Sequence, residues 1–143
     1  MGWFHSLLLL GTKPKNPTEE ALLAFLRGKA SLDHWISALR AAQLSLLIRG
    51  QAEAAGSQGT LSPLVIDGSQ GPALCVFTHP DRALAMRRSA PDYQGLVTLP
   101  FDTVVKFTLP DMGWAFNAGS FFSTEVVAAG IEELRGSAGP PSA

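Results

Sequence analysis

Apolar residues recur at helical spacing in two segments near the start of the chain. They lie at Leu22, Phe25 and Leu26 in the first segment, and at Leu32, Trp35, Ile36 and Leu39 in the second. Asn16 and Ser31 precede these segments and are favourable N-cap residues, and Gly28 between them tolerates the positive φ of a helix end. The pattern predicts two helices joined as a helical hairpin.

Short apolar runs bounded by turn residues follow the hairpin and indicate strands. The runs are Leu44–Ile48, Leu64–Ile66, Pro72–Phe77, Leu96–Leu99 and Met112–Phe116. The turn-forming stretch Asp67–Gly71 separates the second run from the third, which predicts a β-hairpin.

Helical segments alternate with these strands. Helices are predicted at Pro80–Arg88 and Phe101–Thr108, and a final helix is predicted to begin with Ser123 as its N-cap. Phe122 and Val127 are spaced as a hydrophobic staple around that start. The sequence therefore predicts an α/β (α+β) fold, a mixed β-sheet of about five strands flanked by helices.

The length of 143 residues, 46% of them hydrophobic, fits one folded domain. Residues 16–135 are assigned to this domain, residues 1–15 to an apolar N-terminal arm, and residues 136–143, rich in Gly, Pro and Ser, to a flexible tail.

The apolar arm has a run, Trp3–Leu10, that lacks a preceding basic region and is shorter than the ~20 residues of a membrane span. Neither a secretory signal nor a membrane span is expected, and the predicted location is cytoplasmic. The arm is expected to pack on the domain or on a neighbouring subunit, which predicts self-association as a homodimer.

The net charge and the cysteine content exclude further classes of binding partner and of covalent cross-link. The net charge of −1 gives no electrostatic basis for binding nucleic acid or an anionic membrane. The densest basic group, Arg82, Arg87 and Arg88, is interpreted as a solvated helix face. The single cysteine, Cys75, excludes an internal disulfide and suits a reducing compartment.

Two turns that follow strands carry the candidate site residues. These are Thr78, His79, Asp81 and Arg82 in one turn, and Asn117, Gly119 and Ser120 in the other, with Trp114 beside the second. Because both turns follow strands, they are expected to converge at one sheet edge and form a ligand site there. The structural interpretation of the first turn is a helix cap, since Pro80 forces His79 into extended geometry.

Nucleophilic catalysis is the other chemistry that these residues suggest. The residue types that such catalysis uses are present in two sets, Cys75 with His79, and Ser120 with His79 and Asp81. However, Cys75 lies in an apolar run where a thiol is inert, and Ser120 lacks the G-x-S-x-G turn. The sequence also has no metal-ligand spacing and no phosphate-binding glycine loop. We therefore predict no catalytic residue, no metal and no cofactor.

Three segments together resemble the N-terminal domain of the SseB family, named for enhanced serine sensitivity. They are the helical region that leads into Leu44–Ile48, the stretch Ala73–Ala83, and the stretch Gly113–Ser120 before the last helix. Their order and spacing match the family. Two positions depart from it: Ala118 replaces a usual proline, and His79-Pro80 replaces a usual Ser-Glu pair.

The resemblance implies an α/β domain with no established catalysis and no known cofactor. The first hypothesis for function is a non-catalytic interaction or regulatory domain with an unknown protein partner. The second is a sensor that binds an amino acid or another small anion at the two turns. The third is a hydrolase that uses Ser120 or Cys75.

Overall fold

The structure, a computed structural model, describes residues 13–49, 62–120 and 123–137. Within these ranges the helices are α1 (Pro17–Leu26), α2 (Leu32–Arg40), α3 (Pro80–Arg87), α4 (Phe101–Phe107) and α5 (Ala128–Ser137). The strands are β1 (Gln43–Ile48), β2 (Val65–Gly68), β3 (Gly71–Val76), β4 (Gly95–Pro100), β5 (Gly113–Phe116) and β6 (Thr124–Val126). The mixed α and β content agrees with the fold class expected from the sequence.

The strands form a four-stranded sheet in the order β2-β3-β5-β6 and a two-stranded sheet of β1 and β4. The hairpin of β2 and β3 is antiparallel, as predicted, with Val65 opposite Leu74. Strands β3 and β5 are parallel, and β6 is antiparallel to β5. Parallel neighbours end at the same sheet edge, so the turns after β3 and β5 lie side by side.

Two isolated bridges connect the sheets along β1. Ser45 pairs with Phe77 just beyond β3, and Ile48 pairs with Pro63 just before β2. Backbone hydrogen bonds of 2.9 Å run in both directions between Ser45 and Phe77. The described residues therefore form six strands in two bridged sheets, where the sequence predicts one sheet of about five.

Helices cover both faces of the sheets. The larger core cluster places Leu74, Val76 and Phe116 of the sheet against α1, α2, α4 and α5. The smaller cluster lies on the opposite face, where Cys75 and Phe77 pack near Ala83 of α3. Because successive strand residues point to opposite faces, one apolar run supplies both clusters.

The first two helices begin as the sequence predicts. The Asn16 side chain accepts from the Glu19 backbone N–H at 2.9 Å, and the Ser31 hydroxyl accepts from the His34 backbone N–H at 3.1 Å. Gly28, after the end of α1, has φ +74. The hairpin connection between α1 and α2 is thus confirmed.

The predicted start of the last helix is wrong. Residues from Thr124 to Val126 form β6, and α5 begins at Ala128. A Cβ atom added to Gly113 would overlap the Val126 backbone oxygen, so the glycine lets this edge strand approach β5. A three-residue strand is too short to show alternation, and its β-branched Thr124 and Val126 are the only local signal for it.

Some sequence-based expectations fall outside the described residues. The arm up to residue 12, Phe122 of the predicted staple, and residues 138–143 of the predicted tail lie there. The division into arm, domain and tail stays a prediction. In the described ranges, no helix combines the length and apolarity that crossing a membrane requires.

Candidate functional site

The ends of β3 and β5 bring the two polar turns together. Thr78 lies two residues beyond β3, and Asn117 lies directly after β5. The Asn117 side-chain oxygen accepts from the Thr78 backbone N–H at 3.0 Å, and its amide nitrogen donates to the Thr78 hydroxyl at 3.0 Å. The two turns therefore meet at one sheet edge, as parallel neighbouring strands require.

Asn117 adopts a backbone conformation that suits few other residues. Its φ is +53, in the left-handed region where asparagine is tolerated better than most side chains. Its backbone N–H donates to the backbone carbonyl of Val76 at 2.8 Å, which connects the end of β5 to the end of β3. Gly119, two residues later, has φ +88. Both residues thus take left-handed conformations, which asparagine and glycine tolerate better than other residues.

The first helix contributes a buried carboxylate to the same edge. Glu19 is completely buried, and its two oxygens accept from Arg82 Nε and Nη2, each at 3.0 Å. One oxygen also accepts from the Thr78 hydroxyl at 2.7 Å, and the other from the Lys15 backbone N–H at 2.9 Å. The Asn16 amide donates to the Thr78 carbonyl at 2.8 Å. We refer to Asn16, Glu19, Thr78, Arg82 and Asn117 as the buried polar cluster.

Hydrogen bonding keeps Glu19 ionised despite its burial. Burial alone raises the pKa of this carboxyl group, but hydrogen bonds from Arg82, Thr78 and Lys15, together with the Arg82 charge, outweigh it. The pKa of Glu19 consequently lies below its ordinary value of 4.5. The bidentate geometry of Arg82 matches the planar carboxylate and adds to this effect.

The turn after β3 begins α3 through a histidine cap. His79 Nδ1 accepts from the Asp81 backbone N–H at 3.0 Å, with Pro80 at the first helical position. The cap expected from the sequence is confirmed. Lys15 Nζ lies 3.5 Å from the Asp81 carboxylate, and both side chains are substantially exposed. This exposed pair is of the kind that contributes little to stability.

A cavity of about 150 Å³ opens between the two turns. The residues that line it are Lys15, Asp81, Arg82, Ala85, Met86, Ser89, Ala118, Gly119 and Ser120. Four of the candidate site residues, Asp81, Arg82, Gly119 and Ser120, therefore share one cavity. Thr78, His79 and Asn117 are not among its lining residues, and they shape the turns around it.

Trp114 does not face a cleft, so its expected place in the ligand site is wrong. Its side chain is fully buried, and its ring packs edge-on against Phe101 and Phe116 at centroid distances of 5.7 and 5.8 Å. The indole N–H donates to the Thr108 hydroxyl at 2.9 Å. Burial of a tryptophan with its N–H satisfied is the ordinary structural outcome.

Cys75 lies at 0% exposure in the smaller core cluster. Burial raises the pKa of its thiol to about 11. The reactive form of cysteine is the thiolate, which is scarce at neutral pH with such a pKa. Ser120, the other candidate nucleophile, has a buried hydroxyl oxygen with no hydrogen-bond partner among the described residues.

Two features of the site are not predicted from the sequence, namely the pairing of Glu19 with Arg82 and the burial of Arg82. Glu19 accepts from the Lys15 backbone N–H, as a helix-capping residue does, but its main partner is Arg82, 63 positions away. Arg82 is accordingly not part of a solvated face: its side chain is 19% exposed and holds Glu19. Glu19 lies in the first turn of α1 and Arg82 lies far away in the sequence, on α3. Nothing in a single sequence indicates that two such residues will pair.

The described residues, 13–49, 62–120 and 123–137, give no support for a metal site. No three histidine, cysteine or acidic side chains come together there in a way that could hold an ion. The acidic side chains at the turns are Glu19, which is held by Arg82, and Asp81, which lies beside Lys15.

These observations define a class of protein: an α+β domain whose first helix is fixed to the ends of two parallel strands by a buried polar cluster. A family profile described as the SseB protein N-terminal domain matches residues 18–133. The match covers most of the chain, and the chain therefore belongs to the SseB family. No curated protein and no solved structure matched it.

Proposed function

We propose that this chain is a non-catalytic protein-interaction or regulatory domain. The observation that carries the proposal is the structural use of the buried polar cluster. Both Glu19 oxygens, the Thr78 hydroxyl and the Asn117 amide bond one another or Arg82. A general acid or base must reach a substrate proton. These groups instead hold the first helix against the strand ends.

The remaining candidates for chemistry support the same proposal. His79 uses Nδ1 to cap α3, and Cys75 is buried with a pKa of about 11. Covalent catalysis requires a nucleophile within hydrogen-bond reach of a base. Ser120 has no such partner within the described residues.

Affinity capture from cells of the native host tests this function. We expect the tagged full chain to recover a specific protein, and the variant Cys75→Ala/Ser120→Ala to recover the same protein in the same amount, because neither residue takes part in chemistry. The control is a parallel capture with the tag alone. Labelling of Ser120 by a fluorophosphonate, or of Cys75 by a chloroacetamide in the folded protein, would contradict the proposal.

A second candidate function is the sensing of a small ligand, which the shared cavity favours. Lys15, Asp81 and Arg82 place charges of both signs around it, and Ser120 contributes a buried hydroxyl. A free amino acid carries a carboxylate and an ammonium group close together. Its two charges complement those of Asp81 and Lys15, which lie 3.5 Å apart and both line the cavity.

A thermal-shift screen with amino acids and small carboxylates tests the sensor function. A ligand at 100 times its Kd adds about 2.7 kcal/mol to the free energy of unfolding, which raises Tm by several degrees. We expect Lys15→Ala to abolish the shift and the remote control Lys106→Ala on α4 to retain it. If no compound raises Tm, or if Lys15→Ala shifts as much as the wild type, this function is excluded.

A further inference from the structure

An apolar groove lies between α2 and the segment formed by β6 and α5. Its volume is about 220 Å³. The apolar residues that line it include Leu32, Trp35, Ile36, Val126 and Leu134. Leu32 at its rim is 54% exposed, although it is a large aliphatic side chain. A cavity of ~150 Å³ already takes a benzene ring, so this groove accommodates a large apolar side chain.

The chain itself contains an apolar segment of matching character. Trp3–Leu10 holds one tryptophan, one phenylalanine and four leucines, and it lies outside the described residues. Trp3, Leu7 and Leu10 are spaced at i, i+4 and i+7. This is the spacing by which apolar side chains of a helix dock into a groove.

Asn16, near the start of the described chain, is linked to the groove through a series of contacts. Asn16 bonds the carbonyl of Thr78, and Thr78 in turn bonds Asn117. Phe116, next to Asn117, packs against Trp35 of the groove at a ring-centroid distance of 5.6 Å. The point where the arm joins the domain is therefore connected to the groove through a short series of direct contacts.

The arm is long compared with the domain. Trp3 and Lys13 are ten positions apart, and ten extended residues span at most about 36 Å. A folded domain of this size has a radius of gyration of roughly 14 Å. The extended arm is therefore more than twice as long as this radius.

We propose that the groove between α2 and α5 binds the apolar segment Trp3–Leu10 of the same chain. The short connection gives the segment an effective concentration in the millimolar range at its own groove. A second copy of the chain reaches that concentration only when the protein itself is millimolar. Docking also removes from water both the exposed Leu32 and the side chains of the segment. The inference does not depend on the proposed function.

Disulfide trapping in the full chain tests this assignment. Leu32→Cys is combined in turn with Leu7→Cys, Leu8→Cys and Leu10→Cys, because a disulfide requires Cα atoms within about 7 Å and the register of docking is not fixed. The native Cys75 is buried and does not interfere. The control pairs the same arm cysteines with Leu109→Cys, whose native leucine is 61% exposed.

We expect at least one Leu32 pair to form a disulfide within the monomer roughly tenfold faster than the corresponding Leu109 pair. Equal rates for the Leu32 and Leu109 pairs would overturn the proposal. A disulfide-linked dimer that forms faster than the monomeric disulfide would also overturn it, because it would assign the groove to a second copy.

Discussion

Replacing Arg82 by methionine is expected to lower the free energy of unfolding by about 3–5 kcal/mol, the range found when one partner of a buried ion pair is removed. The variant leaves the Glu19 carboxylate fully buried without the guanidinium that bonds both of its oxygens. Urea unfolding at neutral pH measures the change. Arg88→Met, directly after the end of the same helix, is the matched control, and we expect less than about 0.5 kcal/mol there because Arg88 is exposed.

The loss of stability caused by Arg82→Met should depend on the charge of Glu19. The double variant Glu19→Gln/Arg82→Met removes both charges, so we expect it to be more stable than the sum of the two single changes predicts. Strictly additive costs would show that the two side chains do not interact. A cost for Arg82→Met no larger than for Arg88→Met would contradict the burial of the pair.

The same pair makes stability depend on pH. The pKa of Glu19 is lower in the folded protein than its ordinary value of 4.5, so the unfolded chain binds this proton more readily. The stabilisation is therefore complete above pH 4.5 and is lost as the pH falls through the lowered pKa of the folded state. Arg82→Met should weaken this part of the pH dependence, which unfolding curves measured at acidic pH would reveal.

Trp114→Ala is expected to destabilise the protein by about 3–5 kcal/mol, as large-to-small changes at fully buried aromatic positions do. The change removes the edge-on ring contacts with Phe101 and Phe116 and leaves a cavity in the larger core cluster. Thermal unfolding followed by circular dichroism measures the loss. The same change on a solvent-facing tryptophan would have little effect, so a cost below about 1 kcal/mol would place Trp114 at the surface.

A conservative variant separates packing from hydrogen bonding at this position. Trp114→Phe keeps an aromatic ring but removes the indole N–H that donates to Thr108 at 2.9 Å. We expect a cost of about 1–3 kcal/mol, the penalty for leaving a buried polar group without one of its partners. The Thr108 hydroxyl keeps its own bond to the Val104 carbonyl.

Local signals in the sequence predict much of the fold. Helix caps are chemical features of single residues, and Asn16, Ser31 and His79 each act as the sequence indicates. The hairpin of β2 and β3 follows from its turn residues in the same way. Strand β6 is not predicted from local signals, because its pairing with β5 outweighs the capping tendency of Ser123. That pairing depends on the space left by Gly113, which is a tertiary property.

The candidate site is predictable only in part, for a related reason. The order of the strands indicates that the turns at Thr78 and Asn117 meet, since parallel strands end at one edge. The position of Glu19 between them depends on how α1 packs, which a single sequence does not encode locally. The same limitation explains Trp114, because the contact of its ring with Phe101 joins β5 to α4, and a single sequence does not encode that packing locally.

The separation between Glu19 and Arg82 has a consequence during synthesis of the chain. A ribosome adds about 5–20 residues per second, so the 63 positions between them take roughly 3–13 s to translate. For that interval the first helix has neither its arginine nor the hydroxyl of Thr78. Glu19 can leave water only after both have emerged. The nascent first helix therefore keeps an acidic, hydrated face until Arg82 has been made.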